Sequence, residues 1–115
     1  MPFVHVSSNV PKASVNVPAT LAALSKAASA ALGKPEEYVM VKLDLDQDMV
    51  FQTQDTPNAF IHIRSIGSVG PEINLKTAQS LTEAVSEALK LPANRIYMIV
   101  DDVKGSNWAL AGKTY

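Results

Sequence analysis

Few side chains in this sequence pair a reactive group with a neighbour that would activate it. There is no cysteine, which excludes thiolate catalysis, disulfides and cysteine metal sites and leaves the redox compartment open. His5 and His62 stand in alternating strand-like runs, with no carboxylate or cysteine close by in the sequence. That pattern reads as structural and makes a poor metal site, so neither a metal nor a cofactor is expected. The most distinctive chemistry belongs to Pro2. An initiator methionine is removed ahead of a small second residue, and its loss would give Pro2 a free secondary amine. An α-amino group titrates at about 7.7–8.0, and burial or a nearby cation disfavours its charged form. A neutral amine can then accept protons as a general base. Taken singly, Pro2 would still be read as backbone punctuation, Lys34 as a solvated cation past a helix end, and Tyr97 or Tyr38 as core packing.

The elements that would position these residues follow from an internal repeat at an offset of 57 positions. Phe3-Val4-His5-Val6 recurs as Phe60-Ile61-His62-Ile63, Leu24 falls on Leu81, Pro35 on Pro92 and Asp44 on Asp101. Within each copy the apolar period changes from two to about 3.6 and back, the signature of strand, helix, strand. The first copy predicts strands over Phe3 to Ser8 and Tyr38 to Leu45, with a helix from Pro18 to Leu32. The second predicts strands over Ala59 to Ile66 and Arg95 to Asp101, with a helix from Leu75 to Leu89. The copies span about 2–57 and 59–115, and residues 1–115 read as a single domain. Since βαβ crossovers are right-handed, two such units give an α+β fold: a four-stranded sheet carrying both helices on one face. Both faces of that sheet read as substantially apolar, so the uncovered face predicts self-association.

Bulk composition narrows the function classes. The 115 residues are 47% apolar and 18% charged, which suits one packed core supplemented by subunit contacts. A formal charge of −1 with no Lys/Arg run lacks the footprint of nucleic-acid binding. The start lacks a basic region, an apolar stretch and a cleavage site, so no signal peptide is read, and no segment has the roughly 18 apolar residues that span a bilayer. The expectation is a soluble, cytoplasmic protein, secreted if at all by a route without a signal peptide, with no nucleic-acid or membrane partner.

Several short strings together are specific. Met1-Pro2, Asn9-Val10-Pro11-Lys12-Ala13-Ser14-Val15, Gly33-Lys34-Pro35 with Tyr38, Ser65-Ile66-Gly67 and Arg95-Ile96-Tyr97 cover nearly the whole chain. With them the sequence resembles the family of macrophage migration inhibitory factor and D-dopachrome tautomerase. The resemblance implies the tautomerase fold, a homotrimer with active sites at subunit interfaces, and an isomerase acting on phenylpyruvate- or dopachrome-type compounds. It implies Pro2 as the catalytic base and a small aromatic 2-oxo acid or enol as substrate. Lys34 and the backbone N–H of Ile66 would grip a substrate carboxylate, with Tyr97 reaching in from a neighbouring subunit. Phe3, Tyr38, Ser65 and Trp108 would complete the pocket. Lys34 would also depress the Pro2 amine by like-charge repulsion and steady an enolate oxygen. It further implies a cell-surface receptor as a partner, since family members act as cytokines.

Three positions depart from that pattern. Asn58-Ala59-Phe60-Ile61 replaces the Cys-x-x-Cys pair of the mammalian cytokine, so its thiol–disulfide activity should be missing. Ile99 replaces an asparagine in the pocket, and Trp108 and Leu110 stand where a valine and a tryptophan would, shifting the aromatic rim by two residues. A non-catalytic trimeric receptor-binding protein with a vestigial pocket is the alternative reading. A ferredoxin-like RNA module ranks below it for want of charge and of the Arg/Lys-Gly-Phe-type strand motif. Proline-based decarboxylation or dehalogenation ranks low as well, because such sites call on extra arginines and only Arg64 and Arg95 are available.

Overall fold

The two Phe-x-His-x runs form the middle of the sheet. In the computed structural model, which describes residues 1–115, β1 (Pro2–Ser8) and β3 (Ala59–Ser65) alternate buried and less buried residues, as strands covered on one face must. They lie antiparallel, with His5 opposite His62. β2 (Met40–Asp44) runs parallel to β1 and β4 (Ile96–Asp102) parallel to β3, giving the order β2-β1-β3-β4. Helices α1 (Val17–Leu32) and α2 (Pro71–Leu89) cover one face. There Val4, Val6, Ile61 and Ile63 pack fully buried against Leu24, Ala28, Leu81 and Val85. Each such Val, Leu or Ile contributes about 1.5–3 kcal/mol of burial, which is what holds the α+β layers together. Past β4, a short hairpin of β5 (Ala109–Leu110) and β6 (Lys113–Thr114) ends the chain. Its two-residue turn, Ala111-Gly112, has both φ angles positive, the geometry that matches strand twist. No helix is long and apolar enough to cross a membrane.

Helix ends explain two differences from the sequence reading. Asn16 caps α1, accepting the Ala19 N–H at 3.1 Å, and Gly33 closes it in the left-handed region at φ 64°. α2 starts at Pro71 rather than Leu75, because Pro71 supplies a helical φ at the first position and the Asn74 carboxamide accepts the Gly70 N–H. That first turn lacks an apolar stripe, so periodicity alone misses it. Tyr38 is not in β2; it ends a 3₁₀ turn, Glu36–Tyr38, that follows Pro35.

The uncovered face is more polar than the alternation implied. It carries Phe3, Met40, Phe60, Tyr97 and Ile99, but also Lys42, Arg64 and two ion pairs, His5–Asp44 at 2.6 Å and His62–Asp101 at 2.7 Å. Each histidine therefore has a carboxylate partner, placed beside it by the parallel neighbouring strand rather than by sequence proximity. His5, with Lys42 assisting, holds the Asp44 carboxyl below its usual range. No three His, Asp or Glu side chains converge in a metal-ligating group.

Candidate active site at the start of β1

Register fixes what surrounds Pro2. Pro2 lies opposite Ser65 and Phe3 opposite Arg64, and β3 in turn sets Ser65 beside Asp102. The start of β1 thus meets the end of β3, the turn before β2 and the segment after β4. These enclose a cleft of about 570 Å³ lined by 14 residues, 10 of them hydrophobic. Pro2, Phe3, Tyr38 and Trp108 all line it, together with Met1. An apolar enclosure with a few polar groups is the usual form of a small-molecule site.

Ser65 and Ile66 flank the same strand end in different ways. The Ser65 side chain is fully buried, and its Oγ is the one buried side-chain polar atom without a hydrogen-bond partner. The Ile66 N–H donates to the Met1 carbonyl at 3.4 Å. Gly67, at φ 73°, turns the chain away from β3 and donates its N–H to Asp102 Oδ1 at 3.1 Å.

Lys34 does not line the cleft but acts on it through charge. Its backbone is fixed by the α1 cap: its N–H donates to Ser29 O and its carbonyl accepts from Ser29 Oγ. The N-terminal ammonium is pushed below 8.0, first by burial and second by the Lys34 charge. Tyr97 is not near this site. It pairs with Phe60, which lies opposite Ser7, whereas Pro2 aligns with Asp102. Five strand positions separate the two rows, about 16 Å at the usual rise.

The cleft also holds residues that sequence reasoning did not place there, notably Met40, Arg64, Asn107 and Tyr115. Arg64 is brought there by the strand register, which sets it opposite Phe3. Tyr115 arrives because the terminal hairpin folds back, with its N–H shared between the carbonyls of Gly105 and Trp108. Gly105 leaves room for this: a Cβ there would sit 3.2 Å from the Tyr115 carbonyl oxygen. Trp108 and Leu110, the two positions of the displaced rim, both face the cleft.

Comparison with known proteins identifies the family and the fold. The family model described as "Macrophage migration inhibitory factor (MIF)" matches residues 1–115. A homolog of that factor from Brugia malayi is 36% identical over 115 residues, covering 100% of this chain and 99% of the relative. The macrophage migration inhibitory factor of Trichinella spiralis superposes with a TM-score of 0.93 at 26% identity, over 98% of this chain and 99% of that one. The homologue from Prochlorococcus marinus gives 0.90 at 29% identity, with 97% of each chain covered. The mixed sheet with two helices is thus the fold of these structures, and the chain belongs to the macrophage migration inhibitory factor family.

Proposed function

We propose that this chain is a single-domain keto–enol tautomerase whose base is the Pro2 amine, exposed by loss of Met1. The observation that carries this reading is the environment of the amino terminus, an apolar cleft in which burial and Lys34 together disfavour the ammonium form. Excision moves the amine one residue inward, to a residue that is itself fully buried. It also removes the Met1 carbonyl that occupies the Ile66 N–H. The same cleavage therefore creates the base, frees a backbone donor and empties part of the cleft.

The reaction follows from these groups. A small aromatic 2-oxo acid of the phenylpyruvate type enters with its ring among Phe3, Tyr38 and Trp108. Lys34, its flexible side chain reaching in from the α1 cap, and the Ile66 N–H hold the carboxylate. The neutral Pro2 amine takes a proton from the carbon next to the carbonyl, and the electron pair moves to the carbonyl oxygen. The cation lowers the energy of the enolate that forms, and the Pro2 ammonium then delivers the same proton to that oxygen. No redox partner is required. Ser65 Oγ, unpaired beside Pro2, is available to the freed amine. The base is active when unprotonated, so kcat/KM rises with pH through the pKa of the freed amine.

Tyr97 serves the cleft of an adjacent copy, because its distance from Pro2 rules out its own. A homotrimer closed through the uncovered sheet face provides this arrangement. The test is enolisation of phenylpyruvate by Met-processed protein, beside Pro2→Gly and a form with one extra N-terminal residue. Loss of at least about a hundredfold in both variants is expected for removal of a general base. Equal activity in all three forms refutes the assignment. No activity in any form favours receptor binding with an idle cleft, the cytokine-like reading.

A further inference from the structure

Arg95 is 8% exposed, yet no carboxylate lies within ion-pairing distance of it. A buried guanidinium is tolerated only when its donors are satisfied, and Arg95 satisfies all five. Nη1 donates to Phe51 O at 2.9 Å and Gln52 Oε1 at 3.1 Å, Nη2 to Gln54 O at 3.3 Å and Thr56 O at 3.2 Å, and Nε to Pro57 O at 3.3 Å. The side chain is thus the template for the loop between β2 and β3.

That loop is tight. Phe51 and Gln54 exchange backbone hydrogen bonds at 2.9 and 3.0 Å around Gln52 and Thr53, both in the left-handed region without being glycine. Such a turn holds only where its surroundings over-determine it. Its product is the position of one ring. The Arg95 guanidinium carbon lies 5.2 Å from the centroid of the Phe51 ring, and the Tyr97 ring centroid lies 4.5 Å from the same ring. Tyr97 is 63% exposed, so Phe51 is the aromatic support that limits its side-chain freedom.

We propose that Phe51 and Arg95 are positioning residues for Tyr97, and that the loop they form acts across the subunit boundary on a neighbouring cleft. This rests on the tautomerase reading and on Tyr97 reaching that cleft. The clamp sets how firmly the ring of an aromatic substrate is held and leaves proton transfer at Pro2 alone. Substrates without a ring gain nothing from it.

The experiment is a double-mutant cycle on the Met-processed protein with Phe51→Ala, Tyr97→Ala and both, measuring kcat, KM and the pH profile for phenylpyruvate. Immobilising one freed side chain costs enough to raise KM about fivefold in Phe51→Ala, with the pH profile unchanged. That rise should vanish in the Tyr97→Ala background. A wild-type KM in Phe51→Ala or in Tyr97→Ala, or effects that multiply, overturns the proposal. Melting temperatures separate a positioning effect from general loosening, and the Phe51 variant leaves Arg95 in place should its own replacement prevent folding. If the wild type does not enolise phenylpyruvate, the tautomerase reading has failed. The clamp is then judged by phenylpyruvate quenching of Trp108, the single tryptophan, which lines the cleft. Weaker binding in Phe51→Ala supports it, and equal binding overturns it.

Discussion

The turn after α1 and the turn after α2 are built alike and used differently. Gly33 and Lys90 close the two helices at φ 64° and 57°, donating to Ser29 O and Ser86 O. In each the serine hydroxyl then bonds the carbonyl of the next residue, Lys34 in one and Leu91 in the other. Pro35 and Pro92 follow, then the 3₁₀ turns Glu36–Tyr38 and Ala93–Arg95. Backbone geometry therefore leaves only the side chains to differ. Lys34 sets its charge on the amino terminus while Leu91 is buried in the core, and Tyr38 lines the cleft while Arg95 clamps a loop. At these two turns the scaffold supplies position twice, and only the first turn contributes a side chain, Tyr38, to the cleft.

Exchanging those residues tests the division. Leu91→Lys should destabilise by at least about 3 kcal/mol in chemical denaturation, since it removes core packing and buries an unpaired charge. Lys34→Leu is the reciprocal change and should leave the denaturation midpoint near that of the wild type. Its cost falls on function: kcat/KM for phenylpyruvate drops about 10- to 100-fold, the worth of a charge-assisted hydrogen bond. Because a positive charge has been removed, the ammonium form becomes easier to keep, and the rising limb of the pH profile moves to higher pH. An unmoved limb would separate Lys34 from the amine.

The strand ends carry a second contrast of the same kind. Ser8 and Ser65 are both fully buried at equivalent places. Ser8 Oγ donates to Asn58 O at 2.7 Å and accepts the Val10 N–H at 3.1 Å, whereas Ser65 Oγ has no partner. Ser8→Ala should cost about 1–3 kcal/mol, because it strands both partners. Ser65→Ala in the Met1-retaining protein should be near neutral by the same denaturation measurement. A large loss there would mean that the hydroxyl is satisfied in solution by a group the fold does not supply.

Residue patterns alone revealed much of the scaffold and less of the site. The strands, the α1 boundaries and the order of layers were legible because the offset of 57 positions repeats both the apolar alternation and the helix stops. The His–Asp pairs were not, since each joins residues 39 positions apart that only the parallel strand pairing brings together. Arg64 and Tyr115 entered the cleft through cross-strand register and a terminal fold-back, neither of which is a local signal. The roles of Lys34 and Tyr97 came from family resemblance, as nothing in their local sequence distinguishes a solvated lysine or a packed tyrosine from a working one. The clamp at Arg95 was missed for a related reason: its partners are carbonyls, and carbonyls leave no trace in side-chain identity.

Smaller effects sharpen the pairing of the two turns. Lys90 adopts the left-handed cap that Gly33 adopts without a Cβ penalty, so Lys90→Gly should stabilise by up to about 1 kcal/mol, read as a raised denaturation midpoint. Gly33→Lys should lose a comparable amount. If the two changes fail to mirror one another, the caps are not equivalent despite their angles.

The mildest effect concerns the polar half of the uncovered face. His5 donates to Asp44 and, with Lys42 nearby, lowers the pKa of that carboxyl from the usual 3.8. For a depressed acid the folded state binds its proton later than the unfolded chain does. Its contribution is therefore complete above the ordinary carboxylate pKa and is lost as pH falls through the folded value. Melting temperatures of wild type and Asp44→Asn should accordingly differ most near neutrality and converge in acid below about pH 4. The carboxyl lies near solvent, so the gap should also narrow with added salt. A gap that persists unchanged into acid would show that Asp44 acts through packing, leaving the His5 contact as a geometric consequence of strand pairing.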